Sequence, residues 1–221
     1  MTIKKQHILA VTNGSVSEAA EHHIGDVSYL SEHVSEGKGF IRFNKGFKGL
    51  PFDTNDVVVA PRDILETSDD YMQIIPYIVT MRDGKILSYT RTKTGGESRL
   101  HDNVSIGFGG HIDVGDVSVK NGKQEIDVEA TVANAASREM NEELTIQGAG
   151  DTFNAVGMIV DRSNPVGMVH VGVVIIVNTD GIVTSNEDQI DLHGFKTKEE
   201  LLEVENLENW TGILLNSGLF E

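Results

Sequence analysis

Glu139, Glu142 and Glu143 set three carboxylates close together along the chain. On one helix they stand at i, i+3 and i+4 and share a face. Carboxylates this close repel one another and raise each other's pKa unless a cation sits among them. Hard oxygen donors at this density suit Mg²⁺ or Mn²⁺, ions often held jointly with substrate phosphates. Arg138 precedes Glu142 by four residues and can pair with it, fixing its rotamer. A solvated acidic helix face would look the same, and the cluster alone does not separate the two. The alanine-rich segment 128–137 predicts a helix that continues through 138–143 and carries the glutamates.

The stretch before the helix separates the two readings. Gly109-Gly110-His111-Ile112-Asp113-Val114-Gly115-Asp116 reads as a glycine turn, a few extended residues, and a second glycine turn closed by an acid. Joined to residues 138–146 it resembles the Nudix box, a glycine and an acid followed by R-E-U-x-E-E-x-G-U, where U is a bulky aliphatic. Gly110 takes the first glycine, Asp116 the place of the usual glutamate, and Arg138, Glu139, Met140, Glu142, Glu143 and Ile146 match the rest. The resemblance is to the MutT-type Nudix hydrolases. Residues 70–215 more widely resemble a MutT-type phosphoesterase branch, through residues 73–81, the Arg91 region, 97–100 and 105–112.

The resemblance implies an α+β Nudix fold, a mixed β-sheet sandwiched between helices. It implies Mg²⁺ or Mn²⁺ held by Glu139, Glu142, Glu143 and the Gly110 carbonyl. The catalytic set would be these glutamates with Arg138 and Asp116, the last orienting the box by pairing with Arg138. The reaction would be hydrolysis of a diphosphate linkage in a small nucleotide-linked or related substrate, by attack of an activated water. Pairing into a homodimer is a further expectation from the family.

Three departures bear on this. Asp116 is one methylene shorter than glutamate. The 21 residues between Asp116 and Arg138 well exceed the family's usual spacer; the excess lies around 117–127 and contains Lys120-Asn121-Gly122-Lys123, a turn between two short extended pieces. Such a hairpin would keep the loop's ends together. Thr145 replaces the family glycine, whose left-handed conformation threonine resists, so the helix is expected to end nearer Gly148.

These groups need elements to position them. Residues 74–81 read as a strand, Arg82-Asp83-Gly84-Lys85 as a hairpin turn, and 86–91 as the partner strand. Residues 153–160 and 166–177 read as two more strands, with a turn-rich loop 161–165 that could rim the site. Thr197 and Glu200 form a capping-box pattern, and residues 208–215 suggest a final helix whose Trp210 covers the core. Residues 1–70 form an extension or lead-in subdomain before a hydrolase domain at 71–221. Within it, 7–11, 40–43 and 57–60 read as strands, 15–23 as a helix capped by Ser15 or Ser17, and 62–65 as one helical turn.

Further site candidates follow from chemistry. The guanidinium forks of Arg91 and Arg99 match phosphate oxygens; each could equally sit in an ion pair. His170 interrupts an apolar run, either as a buried hydrogen-bonded residue or to position substrate. His111 reads as structural or surface in preference to catalytic, and His22-His23 as solvated surface. The resemblance implies that a further acid from outside the box can act as general base; Glu187, Asp188 and Asp191 are candidates by location, and read otherwise as surface residues.

Composition excludes other classes. The formal charge of −16 argues against a nucleic-acid polymer or an acidic membrane surface as partner. With no cysteine there is no disulfide or thiolate zinc site, nor the cysteine of the isoprenoid diphosphate isomerases that share the fold. No apolar run reaches membrane-spanning length and the start lacks a signal-peptide pattern, so a cytoplasmic location is expected. A ligand-sensing module that has lost hydrolysis is the alternative; all three box glutamates stand against it.

Overall fold

In the computed structural model, residues 6–21, 28–29, 37–43, 45–92, 103–120, 122, 124–148 and 152–221 are described. The chain opens with β1 (His7–Thr12), α1 (Asn13–Glu21), β2 (Ser28–Tyr29), β3 (Lys38–Arg42), β4 (Val57–Pro61) and the single turn α2 (Arg62–Leu65). The long β5 (Tyr71–Arg82) and β6 (Lys85–Arg91) follow, then β7 (Val104–Ser105), β8 (Gly107–Phe108) and the helix α3 (Val128–Glu143). The last part holds β9 (Leu144–Gln147), β10 (Thr152–Asp161), β11 (His170–Asn178), β12 (Ile182–Ser185), β13 (Ile190–Lys196), α4 (Lys198–Leu202) and α5 (Asn209–Leu215).

The main sheet runs β13-β6-β5-β11-β10-β3-β2, with β1 and β8 also on β5, β4 on β1 and β7 on β6. Its centre is the parallel pair β5 and β11, in register from His170 opposite Gln73 to Asn178 opposite Met81. The other pairings are antiparallel, so the sheet is mixed. The lead-in strands are not separate from it, since β1 pairs with β5 and β3 with β10. At the β5–β6 turn Asp83 and Gly84 both have positive φ, 50° and 74°, as a two-residue hairpin that follows strand twist requires.

Helices cover both faces. Val16 and Ala19 of α1 and Val132, Ala136 and Met140 of α3 join one core cluster; Leu201 of α4 and Ile213 to Leu215 of α5 join a second. The buried residues of α3 recur as Val128, Thr131, Val132, Ala135, Ala136, Met140 and Glu143, a single stripe of helical period. Glu143 therefore lies on the core-facing stripe of its helix. No helix among the described residues is long and apolar enough to cross a membrane.

Several expectations need correcting. α3 stops at Glu143 and does not run on toward Gly148: Leu144 is already extended, at φ −130° and ψ 146°, and β9 pairs with β12. The work of a glycine cap is done by Asn186, whose N–H donates to the Glu143 carbonyl and whose Nδ2 donates to that of Asn141, both at 2.9 Å. Thr145 needs no left-handed conformation as a result. α1 begins two residues earlier than expected, and the hydroxyl that accepts its Ser15 N–H is that of Thr12. The strand expected from 166 begins at His170, because Asn164 Oδ1 accepts the N–H groups of Val166 and Gly167 and holds them in a turn. The insertion closes on itself: Lys120 N–H donates to Glu125 O, Asp127 N–H donates to Ser118 O, and Val119 bridges Ile126.

Candidate active site

Arg138 is the knot that ties the glycine-turn loop to α3. Its Nε and Nη2 donate to the two oxygens of Asp116 at 2.9 and 2.8 Å, a bidentate pair. Nη2 also donates to the His111 carbonyl at 3.0 Å, and Nη1 to Glu139 at 2.8 Å and Glu142 at 3.0 Å. The short Asp116 side chain reaches because it closes a 3-10 turn, residues Val114–Asp116. There its Oδ2 accepts the Asp113 N–H and the Asp113 carbonyl accepts the N–H of Asp116, both at 2.9 Å. The bonds from Asp116 hold the Arg138 guanidinium firmly protonated.

The three glutamates are not equivalent. The Glu142 side chain is 56% exposed, against 12% for Glu139 and 6% for Glu143. Burial pushes Glu139 up to about 7, opposed by the charge of Arg138 and reinforced by Glu143 and Glu142. Burial also raises Glu143, outweighing Arg91 and the Gly109 N–H, which donates to its Oε2 at 2.9 Å. Two glycines permit this packing. Gly109 has φ +145°, and a Cβ there would lie 1.9 Å from the Pro76 carbonyl oxygen. A Cβ on Gly110 would come within 2.8 Å of the Glu139 carboxylate, which rests directly on that backbone.

A cleft of about 700 Å³ opens beside this cluster. Its lining includes Gly109, Gly110 and Arg91 from the box side, Glu66, His111 and His170 from another, and Tyr77, Glu208 and Trp210 from α5 and the sheet. The loop after β10, Asp161 to Gly167, also faces it; the fully buried Asp161 accepts from Ser163 and from Asn164 Nδ2 at 2.9 Å and shapes the turn.

Arg91 lines the cleft, but its guanidinium is bonded to Glu143 and lies 3.6 Å from Glu187. Of the three later acids, Glu187 is thus brought to the site through Arg91, while Asp188 and Asp191 are exposed. His170 is buried, with Nδ1 2.8 Å from the Val166 carbonyl, and it faces the cleft. His111 does so too; burial first, and then the charge of Arg62, lowers it to about 4. Arg99 and His22-His23 lie outside the described residues. Asp161 and Asn164 belong to the turn-rich loop expected at the rim, whereas Glu66, Tyr77 and Glu208 carry no such signal in the sequence and Trp210 reads there only as core cover.

No family model matches the chain. Protein YmaB of Bacillus subtilis (strain 168) is 35% identical over 113 residues, which span 49% of this chain and 50% of that protein. The match thus covers about half the length of the curated relative. Among solved structures, Tm1382, described as a candidate Nudix hydrolase, superposes with a TM-score of 0.64 at 21% identity, over 95% of this chain and 96% of that one. A Nudix-family hydrolase from Clostridium perfringens and a mutator MutT protein from Bacillus halodurans give TM-scores of 0.37 and 0.34, too low to carry an argument. They are 15% and 13% identical, cover 68% of this chain each, and match over 99% and 83% of their own lengths. On its sheet order, its two helical layers and its full-length likeness to Tm1382, the chain has the Nudix fold.

Proposed function

We propose that the chain is a divalent-cation-dependent Nudix hydrolase that cleaves the phosphoanhydride of a small diphosphate, nucleotide-linked or related, by attack of an activated water. The observation that carries this reading is the crowding of Glu139 and Glu143 against the Gly109-Gly110 backbone at the edge of the cleft. These donors fit a hard cation. Two largely buried carboxylates sit above their usual pKa, a third stands exposed at the rim, and backbone that only glycine allows lies against them. Mg²⁺ or Mn²⁺ on Glu139, Glu142, Glu143 and the Gly110 carbonyl would neutralise phosphate charge and lower the pKa of a bound water.

The chain's own residues do the rest. The proton of the attacking water is taken by one of the box glutamates or by an acid from the later loop, of which Glu187 reaches the site through Arg91. Arg91 is placed to donate to a phosphate oxygen at the cleft wall, and Arg99 is assigned the same task. His170 positions the substrate from the far side. Arg138 and Asp116 hold loop and helix in register and touch no substrate. Trp210 and Tyr77, ring centroids 5.5 Å apart, form an apolar wall for the group attached to the diphosphate. The cleft volume suits a small-molecule ligand.

The test is product and phosphate release from a panel of nucleoside triphosphates, nucleotide sugars, dinucleoside polyphosphates and non-nucleotide diphosphates, with Mg²⁺, Mn²⁺ or chelator. Cation-dependent cleavage of one class is expected. Silence across the panel from protein that binds the cation would move the reading to a sensing module; silence without cation binding would end it.

A further inference from the structure

We propose that Glu66, His111 and His170 form a second divalent-cation site, of a kind that takes a borderline ion such as Zn²⁺ or Co²⁺. It lies on the same cleft as the box glutamates, and it does not depend on the hydrolase reading. One ligand atom from each residue lies within 4.8 Å of the others. The three come from distant parts of the chain: the residue after α2, the loop behind the glycine turn, and the first position of β11. No linear motif joins them.

The spacing of the two imidazole nitrogens suits a shared ion, with the Glu66 carboxylate near enough to close on it. The two Nε2 atoms of His111 and His170 are 3.3 Å apart. Two imidazole nitrogens bound tetrahedrally at about 2.05 Å from zinc are themselves about 3.3 Å apart. The tautomer is also set. A carbonyl oxygen can only accept, so the 2.8 Å contact of His170 Nδ1 with the Val166 carbonyl places the proton on Nδ1 and leaves Nε2 as the lone-pair atom in the neutral ring. A ring nitrogen donating to a carbonyl while the other faces the ion is the usual outer-shell arrangement of a metal-binding histidine.

That support is itself braced. Asn164 Oδ1 accepts from Val166 N–H at 3.1 Å and Gly167 N–H at 3.0 Å, and Asn164 Nδ2 donates to buried Asp161. On the other side, Arg138 holds the His111 carbonyl, and the Ile112 carbonyl accepts from Leu9 N–H at 2.9 Å. Arg62 Nε donates to Glu66 at 3.0 Å, so a cation already neutralises the carboxylate. The Arg62 side chain is 41% exposed and can swing into solvent as an ion enters.

Donor type separates this site from the box. Two imidazoles and one carboxylate favour zinc-like ions, whereas an all-oxygen set suits Mg²⁺. Three protein ligands leave a coordination position open, as in sites that bind water or substrate. All three residues line the cleft that Gly109, Gly110 and Arg91 also face. An ion here would meet an anionic oxygen of whatever the cleft holds.

The test uses chelator-treated full-length protein titrated with Zn²⁺ and with Co²⁺ by calorimetry, in the presence of excess Mg²⁺, with the Co²⁺ visible spectrum as a report on imidazole ligation. Wild type is expected to bind one Zn²⁺ that Mg²⁺ does not displace. His111→Gln, His170→Gln and Glu66→Gln should each weaken that binding at least tenfold while Mg²⁺ affinity stays unchanged. Circular dichroism checks the fold, and Glu66→Gln, at an exposed position, decides if a histidine variant misfolds. No Zn²⁺ binding beyond what Mg²⁺ displaces, or binding unchanged in the folded variants, would overturn the proposal.

Discussion

Asp116→Asn tests whether the Arg138 knot, and not helix propensity, holds the candidate site together. Asparagine keeps the shape of Asp116 but carries one acceptor oxygen where aspartate has two. Asp116 Oδ1 receives Arg138 Nε, and Oδ2 receives both Arg138 Nη2 and the Asp113 N–H. With its oxygen at the Oδ2 position, asparagine keeps two of these bonds as weaker neutral-acceptor contacts and turns an amide N–H₂ toward the Nε donor. Losing one bond to a charged partner costs about 1.5–3 kcal/mol. Breaking a wholly buried pair costs about 3–5 kcal/mol, but the Arg138 side chain is 29% exposed and its guanidinium recovers some water. The expected loss is therefore about 2–3 kcal/mol. For a chain of this size that corresponds to a fall in Tm of roughly 5–10 °C. Thermal unfolding followed by circular dichroism measures it, and a double-mutant cycle with Arg138→Gln isolates the pair, with an expected coupling of roughly 1.5 kcal/mol or more. Turnover should drop as well, since the loop carrying Gly110 loses its anchor to α3. A Tm within a degree of wild type, or additive effects in the cycle, would show that the loop is held by something else.

Glu142→Gln and Glu143→Gln should each abolish turnover, while Glu142→Gln, at an exposed position, shifts stability by less than about 0.5 kcal/mol; wild-type activity in either would remove that residue from the cation's ligands. Gly110→Ala should lower Mg²⁺ affinity and activity with little change in Tm, because the added Cβ displaces the Glu139 carboxylate and no backbone; unchanged affinity would show that this contact does not matter. Glu139, raised to about 7, binds its proton more tightly folded than unfolded, so its contribution is fully present below about 4.5 and is lost as pH rises through 7. His111, lowered to about 4, works the other way: its contribution is present above about 6.5 and is lost as pH falls through 4, so below 6.5 the two slopes oppose. The test is accordingly made at pH 8 without metal, where Glu139→Gln should be more stable than wild type, by at most on the order of 3 kcal/mol; equal or lower stability there would contradict the assignment. Removal of residues 118–124 should alter substrate preference more than folding, given the closed hairpin base; a chain that fails to fold would make the insertion structural.

The local chemistry of this chain was legible in its residues. The helical period of 128–143, the Asp83-Gly84 turn, the Thr197–Glu200 capping box and the pairing of Arg138 with Glu142 and Asp116 all follow from interactions a few residues long or from one motif. The end of α3 is hidden from the sequence because its cap, Asn186, comes from another part of the chain and leaves no local mark. Burial was equally hidden: three glutamates alike in sequence become one exposed and two enclosed, since only the packing of α3 on the sheet decides which side chain meets water. From sequence Arg91 is either a phosphate ligand or half of an ion pair, and its partner, Glu143 at the end of α3, is reached only through the packing of that helix on the sheet. Local residue order is enough to set which side chains carry charge at helical spacing and which turns the backbone can make. Tertiary structure alone decided that Glu66, His111 and His170 meet, because the contact is set by the register of β11 on β5 and the closure of the loop by Arg138, long-range terms that no window of residues contains.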